Sequence, residues 1–195
     1  MEIKNICVYC GSNGGSNPVY AEQAAVLGRT LVARGLGLVY GGSRVGLMGV
    51  VADAVLAAGG RAVGVIPEAL MLKELAHKGL TELHVVHSMH ERKTLMAERA
   101  DGFIAMPGGV GTLEEIFEMW TWAQLGFHGK PCGLLNVAGY FDALATFLDG
   151  TVDAAFMQPQ HRQMLAVESD ADTLLDRFAA YQAPSVSKWI APGEQ

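Results

Sequence analysis

Gly102-Phe103-Ile104-Ala105-Met106, followed by Pro107-Gly108-Gly109-Val110-Gly111-Thr112-Leu113-Glu114-Glu115, is the stretch on which the fold turns. The first five residues form a short continuous apolar run, as a strand buried on both faces requires. The glycines form its exit loop, and the residues from Leu113 to Phe127 read as a helix. The same unit recurs along the chain. Ile3 to Tyr9, Leu36 to Tyr40, Ala62 to Ile66, Leu83 to His87, Cys132 to Val137 and Met164 to Val167 read as strands. Helices are expected from near Pro18, capped by Asn17, to just before Gly35, and over Leu47 to Ala58, Ser88 to Arg99, Tyr140 to Thr151 and Ala171 to Gln182. Glu68 to Leu80 reads as a short helix and a loop. Alternation of this kind predicts an α/β fold, a Rossmann-like doubly wound parallel sheet of about seven strands with helices on both faces. Residues 1–182 are expected to form a single Rossmann-like domain and 183–195 an irregular tail.

Composition narrows the function. The chain has 195 residues, 50% hydrophobic and 17% charged, which excludes intrinsic disorder. A net charge of -6 without a basic run argues against nucleic acid as a partner. The most apolar stretch, Val45 to Ile66, is broken by Asp53, Arg61 and Gly59-Gly60, so no membrane span is expected. The N-terminus runs straight into strand-like sequence, and a cytoplasmic location is expected. Cys7 and Cys10 match C-x-x-C, but on a strand that spacing sends the sulfurs to opposite faces, which argues against redox chemistry. His84 and His87 are likewise expected on opposite faces of a strand, with His90 already in a helix, so no metal site is expected.

Ligands of doubly wound sheets bind beyond the carboxyl ends of the strands, here the glycine-rich loops after Tyr9, Tyr40 and Met106. The loop after Met106 is the strongest candidate. Its glycines let the backbone approach a ligand, and N–H groups at the start of the next helix suit a phosphate. Thr112-Leu113-Glu114-Glu115 also reads as a capping box, a role compatible with holding Glu115 rigid. Ser88 and Glu91 form a second such box. Arg92 and Lys93 then oppose their helix dipole, which implies an anionic partner. Gly41-Gly42-Ser43-Arg44-Val45-Gly46 has the glycine spacing of a P-loop but lacks its Lys and Ser/Thr, and no G-x-G-x-x-G dinucleotide fingerprint is present. The helix Leu113 to Phe127 is apolar on nearly every side, which predicts a homodimer.

Met89-His90-Glu91-Arg92-Lys93, the loop Pro107 to Glu115, and Thr121-Trp122-Ala123-Gln124-Leu125-Gly126 together resemble the Lonely Guy family, cytokinin riboside 5′-monophosphate phosphoribohydrolases often labelled lysine decarboxylases. The resemblance covers about Ile3 to Gln182. It implies hydrolysis of the N-glycosidic bond of a purine nucleoside 5′-monophosphate, of cytokinin riboside or adenosine type, to free base and ribose 5-phosphate. It implies Arg92 and Glu115 as catalytic pair. Nucleotide contacts would come from Glu74, Arg92, Lys93, Gly108, Gly109, Val110, Gly111, Thr112, Leu113, Glu114, Glu115 and Thr121. Neither metal nor other cofactor is implied, and the active site is expected near a dimer interface. Whether Arg92 acts on the leaving base or on phosphate is left open. The alternative is a non-catalytic nucleotide or molybdenum-cofactor binding protein of the same fold.

Overall fold

Five of the seven strands are apolar runs that bury both faces inside a sheet covered by helices, and the two at its edges are only partly buried. The computed structural model describes residues 2–71 and 76–184. Its elements, in order, are β1 (Asn5–Tyr9), α1 (Val19–Ala33), β2 (Gly37–Tyr40), α2 (Gly46–Ala57), β3 (Ala62–Pro67), α3 (Glu68–Met71), β4 (Glu82–Val86) and α4 (Met89–Arg99). They continue with β5 (Gly102–Ala105), α5 (Val110–Gln124), β6 (Cys132–Leu135), α6 (Asp142–Asp153), α7 (Pro159–Gln163), β7 (Leu165–Glu168) and α8 (Ala171–Ala179). The strand order is β4-β3-β2-β1-β5-β6-β7 and every neighbouring pair is parallel. The doubly wound sheet expected from the sequence is therefore present. Its order reverses between β1 and β5, so the exit loops of these two strands part at that point and open the crevice of such folds.

Two apolar layers hold the sheet. Leu27, Leu31, Val51 and Val55 of α1 and α2 pack with Leu174 and Phe178 of α8 against one face, together with Ile6, Val8 and Ile104. Met96, Ile116, Met119, Trp120 and Leu148 of α4, α5 and α6 cover the other, together with Cys7, Val39 and Phe103. Trp120 satisfies its indole by donating to the His161 carbonyl at 2.9 Å, which ties α5 to α7. Cys7 and Cys10 fall in opposite layers, as the strand spacing requires, and with Cys132 they are buried free thiols. Burial pushes all three thiols well above the ordinary cysteine range, which makes them inert.

Several boundaries differ from expectation. β4 is an edge strand and ends at Val86, so His87 lies beyond it and pairs with Glu68 at 3.5 Å. His84 pairs with Glu82 at 3.1 Å on its own strand. Among the described residues no three His, Cys, Asp or Glu side chains gather as metal ligands. Pro18 takes the cap position of α1, although Asn17 Oδ1 still accepts from Val19 N–H at 3.1 Å. The short helix α7 was not expected; it rests on a proline at its first turn. No helix among the described residues is long and apolar enough to cross a membrane. Of the C-terminal tail, only Ala183 and Pro184 are described, without regular structure.

Candidate active site

The helix α5 begins three residues earlier than its sequence suggests, and this moves the site. Gly109 is the cap, in extended conformation, and Val110 is the first helical residue. The first intrahelical bond runs from Leu113 N–H to Gly109 O at 3.3 Å. The N–H groups of Val110, Gly111 and Thr112 therefore precede the hydrogen-bonded turns, and they carry the positive end of the helix dipole. The capping box expected at Thr112 and Glu115 does not form, because both are already inside the helix. Thr112 is buried with its hydroxyl against Gly108. Glu115 sits one turn further along, above Gly111 and Thr112, and faces α4 instead.

On α4 the Ser88 cap is as expected: its hydroxyl accepts from Glu91 N–H at 3.1 Å, while Glu91 reaches back to His87 N–H at 2.8 Å. The cap fixes the first turn, so Arg92 projects inward. Its side chain is 8% exposed and Nη2 lies 3.6 Å from Glu115 Oε1, whose side chain is 13% exposed. The guanidinium crosses Gly41 at the end of β2 so closely that any Cβ there would collide with Nη2 and crowd Met48. This explains one glycine of the P-loop-like loop without phosphate chemistry. Arg92 Nη1 also approaches Met89 Sδ at 3.9 Å, and buried Nε has no hydrogen-bond partner among the described residues. A buried pair with one unsatisfied donor is costly for stability alone, which points to a chemical role.

Lys93 points to the outer side of α5. Nζ holds Glu114 at 2.6 Å and Glu118 at 2.9 Å, a stripe of two carboxylates one turn apart. Donation to Glu114 holds the ammonium above the ordinary lysine range, with Glu118 adding to it. Within the chain, the anionic partners inferred for the two cations are thus carboxylates of α5. Thr121 is six residues beyond Glu115, about 9 Å along the axis and on another face, and it is exposed. The structure does not bring it to Arg92 and Glu115 of the same chain. Val110 is exposed at the helix start, Leu113 is half-buried, and Glu74 lies outside the described residues.

Between the exit loops of β1 and β5 lies a cleft of about 250 Å³, lined by residues 11–15, Tyr20, Leu47, Pro107, Gly108, Gly109 and Tyr140. The two loops are joined by Gly11 N–H donating to Pro107 O at 3.0 Å. The cleft lies at the switch point of the sheet, and Gly109 and Gly111 have open space where a Cβ would stand. Arg92 and Glu115 do not line it; Glu115 follows about 8 Å further along α5 from Val110. Tyr20 and Tyr140 were not candidates in the sequence, since only the fold brings the start of α1 and the loop after β6 together.

A profile described as "Possible lysine decarboxylase" matches residues 48–178. The probable cytokinin riboside 5′-monophosphate phosphoribohydrolase LOGL9 of Oryza sativa subsp. japonica is 49% identical over 92% of this chain and 79% of its own length. The cytokinin riboside 5′-monophosphate phosphoribohydrolase LOG7 of Arabidopsis thaliana is also 49% identical, over 92% of this chain and 83% of its own. The chain belongs to the Lonely Guy family. Molybdenum-cofactor proteins share this architecture: the molybdenum cofactor carrier protein of Chlamydomonas reinhardtii matches with a TM-score of 0.70 over 92% of this chain and all of its own. The molybdenum cofactor binding protein of Rippkaea orientalis matches at 0.68 over 92% and 98%. At 19% identity each, these two show the fold and nothing of the ligand. The Lonely Guy relatives instead match across both Arg92 and the glycine loop.

Proposed function

We propose that this protein hydrolyses the N-glycosidic bond of purine nucleoside 5′-monophosphates, of the cytokinin riboside or adenosine type, to free base and ribose 5-phosphate. The observation that carries this reading is the buried pair of Arg92 and Glu115, the latter one turn beyond the first N–H groups of α5. The phosphate rests on those N–H groups and the glycine loop, and its binding positions the ribose. The C1′–N bond then breaks with positive charge growing on the sugar. Glu115 faces that charge and takes a proton from the attacking water, whose oxygen bonds to C1′. The proton taken from water is passed on to the departing base, which restores the Glu115 carboxylate, and the Arg92 guanidinium offsets the electron density gained on the base.

Gly108, Gly109, Val110, Gly111, Thr112 and Leu113 form the cradle in this reading, and Lys93 with Glu114 sets its outer rim. Decarboxylation of the kind the profile's description names is disfavoured at this site. A Schiff-base lysine needs a lowered pKa, whereas Glu114 and Glu118 raise that of Lys93. We take residues 1–182 as one nucleotide-binding unit in the cytoplasm, in keeping with three free thiols. Leu113, Phe117 and Trp122 of α5, which pack against the core, and its cap Leu125 are only half-buried, and Phe127 is 69% exposed. A second copy covers this surface in our reading, which places Thr121 beside a site at the interface.

The test is incubation with AMP and with isopentenyladenosine monophosphate, followed by chromatography for free base. Release of base supports the assignment and its preference between the two defines the substrate. Nucleotide binding without base rejects it in favour of a binding protein.

A further inference from the structure

Among the described residues, Tyr140 is the one side chain from beyond β6 that lines the cleft, and it does so by a polar contact on the cradle itself. Its hydroxyl donates to Gly108 O at 2.6 Å. Its ring meets Tyr20 edge-on at 5.6 Å and Phe141 at 5.0 Å, so the ring is fixed on two sides. The loop that delivers it is itself braced. Asn136 Oδ1 accepts from Phe141 N–H at 2.7 Å, Asn136 Nδ2 donates to Asp142 at 2.7 Å, and Asn136 N–H donates to Glu168 O at 2.7 Å. Ala138 in this loop holds φ at 52°, a left-handed conformation that a non-glycine residue rarely adopts.

Gly108 has little freedom otherwise. A Cβ there would meet Thr112 and lie 2.9 Å from Gly11 N, so the loop is wedged between β1 and α5. Its carbonyl and the N–H of Gly109 belong to one planar trans peptide and point in opposite directions. Holding the oxygen therefore aims the N–H. A donor on the carbonyl also polarises the peptide and strengthens that N–H as a hydrogen-bond donor.

We propose that Tyr140 is a positioning residue: its hydroxyl fixes the Gly108–Gly109 peptide so that the cradle is preorganised for the phosphate of the substrate. This rests on the phosphoribohydrolase reading and adds to it a residue outside the motifs that define the cradle. Tyr140 touches no reacting atom. Its effect passes through Gly108, so it acts on phosphate binding before it acts on bond cleavage.

The experiment compares wild type and Tyr140→Phe, which keeps the ring contacts and removes only the hydroxyl. Ribose 5-phosphate binding is measured by calorimetry, AMP hydrolysis gives KM and kcat separately, and thermal unfolding reports the fold. Expected are an approximately tenfold weaker affinity for ribose 5-phosphate and a matching rise in KM, the effect of losing about one hydrogen bond, with kcat changed less than about threefold. Melting temperature stays near that of wild type. Unchanged ribose 5-phosphate affinity and KM overturn the proposal, as does a loss of affinity that only follows a large fall in melting temperature. If wild-type protein itself releases no base from AMP, the phosphoribohydrolase reading fails, while ribose 5-phosphate binding still reports on Tyr140.

Discussion

Arg92 Nη2 and Glu115 Oε1 stand 3.6 Å apart, both side chains nearly sealed from solvent, and they come from helices that the sheet brings together from opposite sides of β5 in sequence. Opposite charges at this separation under low exposure interact strongly, yet their desolvation cancels much of the gain. The pair therefore makes more sense as preorganised chemistry than as a stabilising device.

Gly41 lets the guanidinium of Arg92 lie across the end of β2. Gly41→Ala should push Arg92 away from Glu115 and lower kcat by at least about tenfold, with a stability loss of about 1–3 kcal/mol from overpacking. Steady-state kinetics and denaturant unfolding check both numbers. A variant with wild-type kcat shows that the observed placement of Arg92 is not required.

Gly111 separates fold from function. It is the second residue of α5 and has open space around it, so Gly111→Ala should stabilise the helix by up to about 0.5–1 kcal/mol. If the space is for phosphate, the same methyl raises KM for nucleotide about tenfold or more. A melting temperature that rises while KM worsens is the expected signature. Equal KM values place the phosphate elsewhere.

His128 gives a pH dependence of stability. Nε2 donates to Met119 O at 2.9 Å, Nδ1 accepts from Lys130 N–H at 3.1 Å, and burial lowers the pKa to about 4 from an ordinary 6.5. Between these values the unfolded chain binds a proton that the folded chain refuses. The contribution is full above about pH 6.5 and disappears as pH falls toward 4, a loss of about 1–2 kcal/mol once partial exposure is discounted. Urea unfolding at several pH values should show this slope, and His128→Gln should flatten it.

The outer surface of α5 predicts a dimer. Sedimentation equilibrium should give twice the 20.7 kDa of the chain, and Phe127→Glu or Trp122→Glu should shift it toward monomer. A single species of chain mass at micromolar concentration rejects this assembly.

The parallel sheet was legible because β1, β2, β3 and β5 are apolar runs that meet glycine or proline within two residues of their ends, a pattern that few other structures share. The start of α5 was not, because Thr112 and Glu115 mimic a capping box while the true cap, Gly109, carries no side-chain signal. Lys93's engagement with Glu114 and Glu118 was hidden for a different reason: their one-turn spacing on α5 is visible in sequence, but its facing α4 is not. The Gly41 approach to Arg92 and the Tyr140 contact with Gly108 likewise join residues far apart in the chain, and only topology makes them neighbours.

The most direct test of the central claim sets wild type beside Glu115→Gln, which keeps the shape of the side chain and removes its charge. With AMP and with isopentenyladenosine monophosphate, wild type should yield free base and ribose 5-phosphate in equal amounts. The variant should bind nucleotide yet turn over about 10²–10⁴-fold more slowly. Equal turnover by the two proteins contradicts the role of Glu115, and absence of base from wild type contradicts the assignment itself.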